Sequence, residues 1–129
     1  MLDTNTASYL IKGNTIVKQR ILQTPMEEIV ISAITEAELL RGAAKRANDH
    51  KLYLIITEFL LRVESLPWDS KAAKSYRDLR DHCDRQGKQL GGMDMLIAAH
   101  ALAEEAILVT NDQAFYHLQP YLQLQDWTK

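Results

Sequence analysis

The stretch Leu90–Phe115, LGGMDMLIAAHALAEEAILVTNDQAF, leaves this chain few folds to choose from. From Met95 to Ala103 it is apolar almost all the way round a helix, so that helix must be covered on most sides, unlike an amphipathic surface helix. After Glu104-Glu105, the run Ala106-Ile107-Leu108-Val109 reads as a short strand buried on both faces. Asp94 opens the helix, and Thr110-Asn111-Asp112 closes the strand. In open α/β sheets the crevice outside the carboxyl ends of the strands is where ligands sit. Two carboxylates placed there call for a chemical reason.

The remaining pattern supplies the other layers. Met1-Leu2-Asp3-Thr4-Asn5 is too short to read as a strand, and a helical pattern runs from Ala7 to Ile11 before Gly13-Asn14. A second short helix spans Thr15 to Gln23. Ile29-Val30-Ile31 is a β-branched run that predicts a buried strand. A helix beginning near Thr35 extends to about Ala47, and another covers Asp49 to Arg62. Val63 to Leu66 suits a short strand. Asp69 or Ser70 caps a long helix, Lys71 to Arg85, that stops at Gly87, with Ala72, Ala73, Tyr76, Leu79 and Cys83 in one apolar stripe. Tyr121-Leu122-Gln123-Leu124 alternates as an edge strand does. Strands alternating with helices imply parallel pairing, hence a three-layer α/β/α sandwich with a mainly parallel sheet.

At 129 residues this is one domain, 1–129, large enough to bury its own core. A formal net charge of -2 excludes a generally polycationic nucleic-acid binder while leaving room for a local basic patch. The single cysteine, Cys83, forms no internal disulfide and suits a reducing cytosol. No signal peptide and no membrane-length apolar run is present, so the expected location is cytoplasmic.

Four acids, Asp3, Glu38, Asp94 and Asp112, fall where strands hand over to helices. Each has a bland explanation. Aspartate is a favoured N-cap, and Thr35-x-x-Glu38 fits a capping box. Together they say more, because parallel strands deliver their carboxyl ends to one edge of the sheet. Several carboxylates in one crevice repel one another and shift upward in pKa unless a cation neutralises them. Hard oxygen donors of this kind suit Mg²⁺ or Mn²⁺, and such a site activates water for attack on a phosphodiester. His50, His82, His100 and His117 have no metal-ligand spacing, and Gly91-Gly92 lacks the Lys-Ser/Thr of a phosphate loop. Arg41, Lys45 and Arg46 suit either a phosphate backbone or a solvated helix face.

Met1-Leu2-Asp3-Thr4-Asn5, Ile34-Thr35-x-Ala37-Glu38-Leu39-x-x-Gly42, Met93-Asp94-x-Leu96-Ile97-Ala98-Ala99-His100-Ala101 and Leu108-Val109-Thr110-Asn111-Asp112-x-x-Phe115 resemble PIN-domain toxins of the VapC type. The ending Leu124-x-x-Asp126-Trp127 is similar as well, so the resemblance spans essentially the whole chain. It implies a divalent-metal-dependent endoribonuclease that is toxic to its host and neutralised by a VapB-type antitoxin. It further implies a homodimer, DNA contact only through the antitoxin, and structured RNA as substrate, especially tRNA anticodon regions. By matching positions, Asp3, Glu38, Asp94 and Asp112 carry over as the catalytic and metal-binding acids, with Asn5 and Thr110 in support. Glu38 is preferred to Glu36 on the Ala-Glu-Leu spacing alone.

Two other readings remain: a PIN-like module that binds RNA or a partner without cutting, and a 5′-nuclease-like enzyme acting on DNA. The helix from Asp49 to Arg62 carries Leu52, Tyr53, Leu54, Ile55, Ile56, Phe59, Leu60 and Leu61, more apolar surface than one core contact covers. This predicts a dimer with that helix in its interface. Light scattering at micromolar concentration without antitoxin should report a dimer; a monomer there overturns the prediction.

Overall fold

A computed structural model of the chain describes residues 1–46 and 48–129. Its sheet is entirely parallel. β1 (Val30–Ser32) pairs with β2 (Glu64–Leu66) in the register Val30 to Glu64 and Ser32 to Leu66. β3 (Leu108–Val109) pairs with β4 (Leu124–Gln125), Leu108 opposite Leu124. Leu2 joins the two halves, bridging in parallel to Ile31 on one side and to Val109 on the other. The opening residues, too short to read as a strand, therefore form the centre of the sheet. The order is β2, β1, residues 1–3, β3, β4.

Side-chain alternation along these short strands divides the core between two faces. Met1 and Leu108 pack with Leu79, Met95, Ile97 and Phe115 under α5 (Ser70–Gln86) and α6 (Gly92–Ala103). Leu2, Ile31 and Val109 pack on the opposite face with Val63 and Trp127. A third cluster, Ala7, Leu39, Ala43 and Ile56, knits together α1 (Thr4–Ile11), α3 (Ala33–Lys45) and α4 (His50–Arg62). α2 (Thr15–Leu22) lies beside α1, started by Asn14, whose side chain accepts from the Val17 amide at 3.0 Å. This is the expected α/β/α sandwich.

Several local expectations need correction. The strand read at Ile29 begins one residue later. α3 starts at Ala33, not near Thr35, because the Ser32 hydroxyl accepts from the Ile34 amide at 3.1 Å and so supplies the cap. Thr35 is buried within the first turn, and the Thr35–Glu38 capping box does not form. The expected end of that helix at Ala47 lies outside the described residues. In α5 the stripe omits Ala73, which is exposed. The last strand holds only Leu124–Gln125, and Tyr121, half-exposed, stacks instead on His82 with ring centroids 4.4 Å apart. Ile107 also stays partly open to solvent, so β3 is covered on both faces only at Leu108 and Val109.

The long helix follows its sequence closely. Asp69 caps α5 through the Ala72 amide at 3.2 Å, and Gly87 ends it at φ 66°, a left-handed conformation that costs glycine nothing. α6 buries Met95, Ile97, Ala98, Ala99, His100 and Ala101. His100 is a core histidine, its Nδ1 2.7 Å from the Ser32 hydroxyl. α4 buries Ile56 but leaves Leu54 and Leu61 52% and 82% exposed, the surface that the expected dimer contact requires. Among the described residues, no helix is long and apolar enough to cross a membrane.

Leu2 tests the role of the central segment, since its side chain is fully buried between the two halves of the sheet. Leu2→Ala should lower unfolding free energy by about 3 kcal/mol, the usual cost of a buried leucine and its cavity. Urea denaturation is expected to show a lower midpoint with an unchanged slope; an unchanged midpoint removes the central role given to this residue.

Candidate active site

Asp3 leaves the sheet at the carboxyl end of its central segment and immediately caps α1. Its Oδ1 accepts from the Thr6 amide at 2.8 Å, while the Thr6 hydroxyl donates to the Val109 carbonyl at 3.0 Å. The carboxylate is buried, and burial pushes it above the ordinary aspartate range. Hydrogen bonds from Thr110 and Thr6 oppose that rise, and the nearby charge of Asp112 adds to it. One strand over, Asp112 caps a single 3-10 segment, Gln113–Leu118, by accepting from the Ala114 amide at 2.9 Å. The buried Thr110 hydroxyl accepts from the Asp112 amide at 3.1 Å and fixes the turn between them. For Asp3 and Asp112 the cap role is therefore real.

It does not extend to the other two. Glu38 and Asp94 are not at strand-to-helix junctions. Glu38 lies well inside α3, and Asp94 follows a loop that joins α5 to α6. The N-cap of α6 is Gly91, and no side chain caps that helix. Burial raises Asp94 above the ordinary aspartate range, and the charges of Asp112, Glu38 and Asp3 raise it further. Glu38 faces α1, where the Thr4 hydroxyl donates to its Oε1 at 2.6 Å and sits 3.1 Å from the Thr35 hydroxyl. Glu36 points elsewhere and accepts from the Ser65 hydroxyl of β2 at 2.9 Å. Of the two glutamates, only Glu38 joins the group around Asp94.

Sequence reading gave no role in the site to Thr4, which holds Glu38, or to Thr35, which lies 3.1 Å from the Thr4 hydroxyl, although both stand within the quoted motifs. Asn5 stands exposed on the first turn of α1. Arg41, Lys45 and Arg46 are all exposed, but only Arg46 lines the cleft that runs from Glu38 along α1. Among the described residues no three carboxylate, imidazole or thiol side chains form a ready-made cage for one ion. The four acids share a space without closing on a point. Mg²⁺ suits such a set, since it usually takes one or two carboxylates directly and keeps several waters.

With this geometry in view, the comparisons are concordant. The PIN domain family model matches residues 1–119. Ribonuclease VapC1 of Haemophilus influenzae (strain R2866) is 35% identical over 131 residues, covering 100% of this chain and 98% of its own. The tRNA(fMet)-specific endonuclease VapC of Shigella flexneri is 30% identical over 128 residues, covering 99% and 97%. The crystal structure of VapBC2 from Rickettsia felis, bound to a DNA fragment from their promoter, superposes with a TM-score of 0.90 at 34% identity, covering 98% of this chain and 97% of that one. The chain belongs to the PIN domain family, and within it to the VapC branch.

The raised aspartates set the pH dependence of the metal-free protein. A carboxyl whose pKa is higher folded than unfolded binds protons more readily in the folded state, so its penalty is present at neutral pH and disappears as pH falls through the folded pKa. Asp94→Asn should therefore stabilise the protein in EDTA at pH 7 by roughly 1 kcal/mol. That advantage over the unsubstituted chain should shrink toward the ordinary aspartate range. Thermal unfolding of both proteins between neutral and acidic pH checks this; a variant no more stable at pH 7 contradicts the mutual repulsion.

Proposed function

We propose that the chain is an endoribonuclease, the toxin of a type II toxin–antitoxin pair, cutting structured RNA such as a tRNA with a divalent cation. The observation that carries this reading is Asp94. It is not the N-cap of α6, and burial together with three neighbouring acids raises its pKa, as is common for carboxylates held for chemistry. The relatives agree, one being a ribonuclease and another a tRNA(fMet)-specific endonuclease.

Asp3, Glu38, Asp94 and Asp112 would hold Mg²⁺ or Mn²⁺, which when bound supplies Lewis-acid activation of water and stabilises the leaving oxygen. The chain itself does the positioning. Capping of α1 fixes Asp3, and the Thr4 hydroxyl fixes Glu38 against it. Thr110 steadies the turn that presents Asp112. Asn5, exposed on the first turn of α1, is available to a substrate oxygen. The dipole at the start of α1 favours the phosphate's negative charge. A VapB-type antitoxin is the expected partner, since the Rickettsia felis structure is of VapBC2 and that of VapBC-5 from Mycobacterium tuberculosis is of a member of the VapBC family of toxin-antitoxin systems. Contact with operator DNA would then come through that partner, and a crevice of acids invites one of its basic side chains.

The decisive experiment combines melting with cleavage. Mg²⁺ at a hundredfold excess over its Kd should stabilise the unsubstituted protein by about 2.7 kcal/mol, and Asp94→Asn much less. Cleavage of total tRNA should be lost in Asp3→Asn and Asp94→Asn but largely kept in Glu36→Gln. An Asp94→Asn protein that cuts at the full rate and responds equally to Mg²⁺ overturns the site. Preference for DNA over RNA selects the 5′-nuclease alternative, and binding without cutting selects the non-catalytic module.

A further inference from the structure

α3 carries a glycine that the fold does not require. Gly42 sits inside the helix without a left-handed φ, and a Cβ placed there would meet no atom within 4 Å. Glycine is among the poorest residues for a helix interior, so this position sacrifices helix stability without any steric return. What Gly42 borders is a cleft of about 160 Å³ between α1, α3 and α4 that begins at Thr4 and Glu38. The buried side chains of Leu39 and Ile56 give it an apolar floor, and exposed Lys12 and Arg46 also line it. Neither cation takes part in an ion pair among the described residues.

Floor and charge together select an occupant. The cleft is open to solvent, and its floor of Leu39 and Ile56 accepts a flat ring. An apolar floor receives the face of a base, while neighbouring cations hold its phosphate. Lys12 and Arg46 also disfavour a basic side chain from a protein partner. We propose that this cleft takes the base of one unpaired ribonucleotide next to the cut phosphate, and that Gly42 keeps it open. The proposal rests on the nuclease reading and adds a requirement for an unstacked base, as in a loop or single strand.

Gly42→Ala and Gly42→Leu replace glycine with better helix formers, so both should melt no lower than the unsubstituted protein. Affinity for a short single-stranded oligoribonucleotide is measured first in EDTA by fluorescence anisotropy, and then as KM for its cleavage in Mg²⁺. Gly42→Leu should weaken binding and raise KM by roughly ten- to a hundredfold, the size of one base stack, and Gly42→Ala by less. An abasic nucleotide beside the cut should weaken binding to the unsubstituted protein but add nothing in Gly42→Leu.

Unchanged affinity in Gly42→Leu overturns the proposal, as does an equal abasic penalty in both proteins. Gly42→Leu that binds and cuts normally but escapes its antitoxin assigns the cleft to the partner and overturns it too. Should Gly42→Leu fail to fold, exposed Lys12→Gln replaces it; weaker binding with a salt slope lowered by about one supports the proposal, and unchanged binding refutes it. The anisotropy arm needs no cleavage. RNA that is bound but not cut by the unsubstituted chain therefore tells against the nuclease reading alone.

Discussion

Everything in this molecule depends on three residues that pair on both sides at once. The Leu2 amide donates to Val30 at 3.0 Å, the Asp3 amide donates to Val109 at 3.0 Å, and the Val109 amide donates to Met1 at 2.8 Å. Each such bond adds only about 1 kcal/mol net, but leaving a buried amide unpaired costs more. The segment therefore has one register available to it. That register sends Met1 into one face of the core and Leu2 into the other, and it releases Asp3 at the carboxyl edge.

The same burial that builds the core makes the candidate site electrostatically costly. α6 buries Met95, Ile97, Ala98, Ala99 and Ala101 in the core, and its first turn carries Asp94 near the other acids. Asp94 is raised by desolvation before any neighbour is counted, and three carboxylates then add to the shift. A cation would relieve this, and so would protonation. At Asp3, Thr6 and Thr110 act in the opposite sense, because hydrogen bonding to a carboxylate favours its charged form. Packing raises Asp3 and Asp94, and at Asp3 local hydrogen bonds offset part of the rise.

Much of this was legible because it follows from local pattern. The all-round apolar run of α6, the β-branched run of β1, and the Asp69 start and Gly87 stop of α5 each carry a short-range physical signal, and each element stands close to where it was expected. What failed was short or contextual. Two or three residues hold no periodicity, so Leu2 gave no sign of being a strand. Thr35 and Ser32 are both acceptable caps, and what favours Ser32 is the strand ending there, which sequence spacing does not encode. Tyr121 alternates correctly for a strand yet is turned outward onto His82.

The four acids divide along the same line. Sequence determined that Asp3 and Asp112 cap the segments after them, because capping is a matter of neighbouring residues. It also determined, through hydrophobic pattern, that Asp94 begins a helix with nowhere to go but the core. The Ala-Glu-Leu spacing preferred Glu38 to Glu36 without a physical reason, and only the tertiary structure supplied one, since both lie on one helix two residues apart. The deciding contacts are with Thr4 from α1 and Ser65 from β2, segments far away in the chain. Helical spacing fixes the angle between two side chains; what each one meets is set by the elements that pack around the helix.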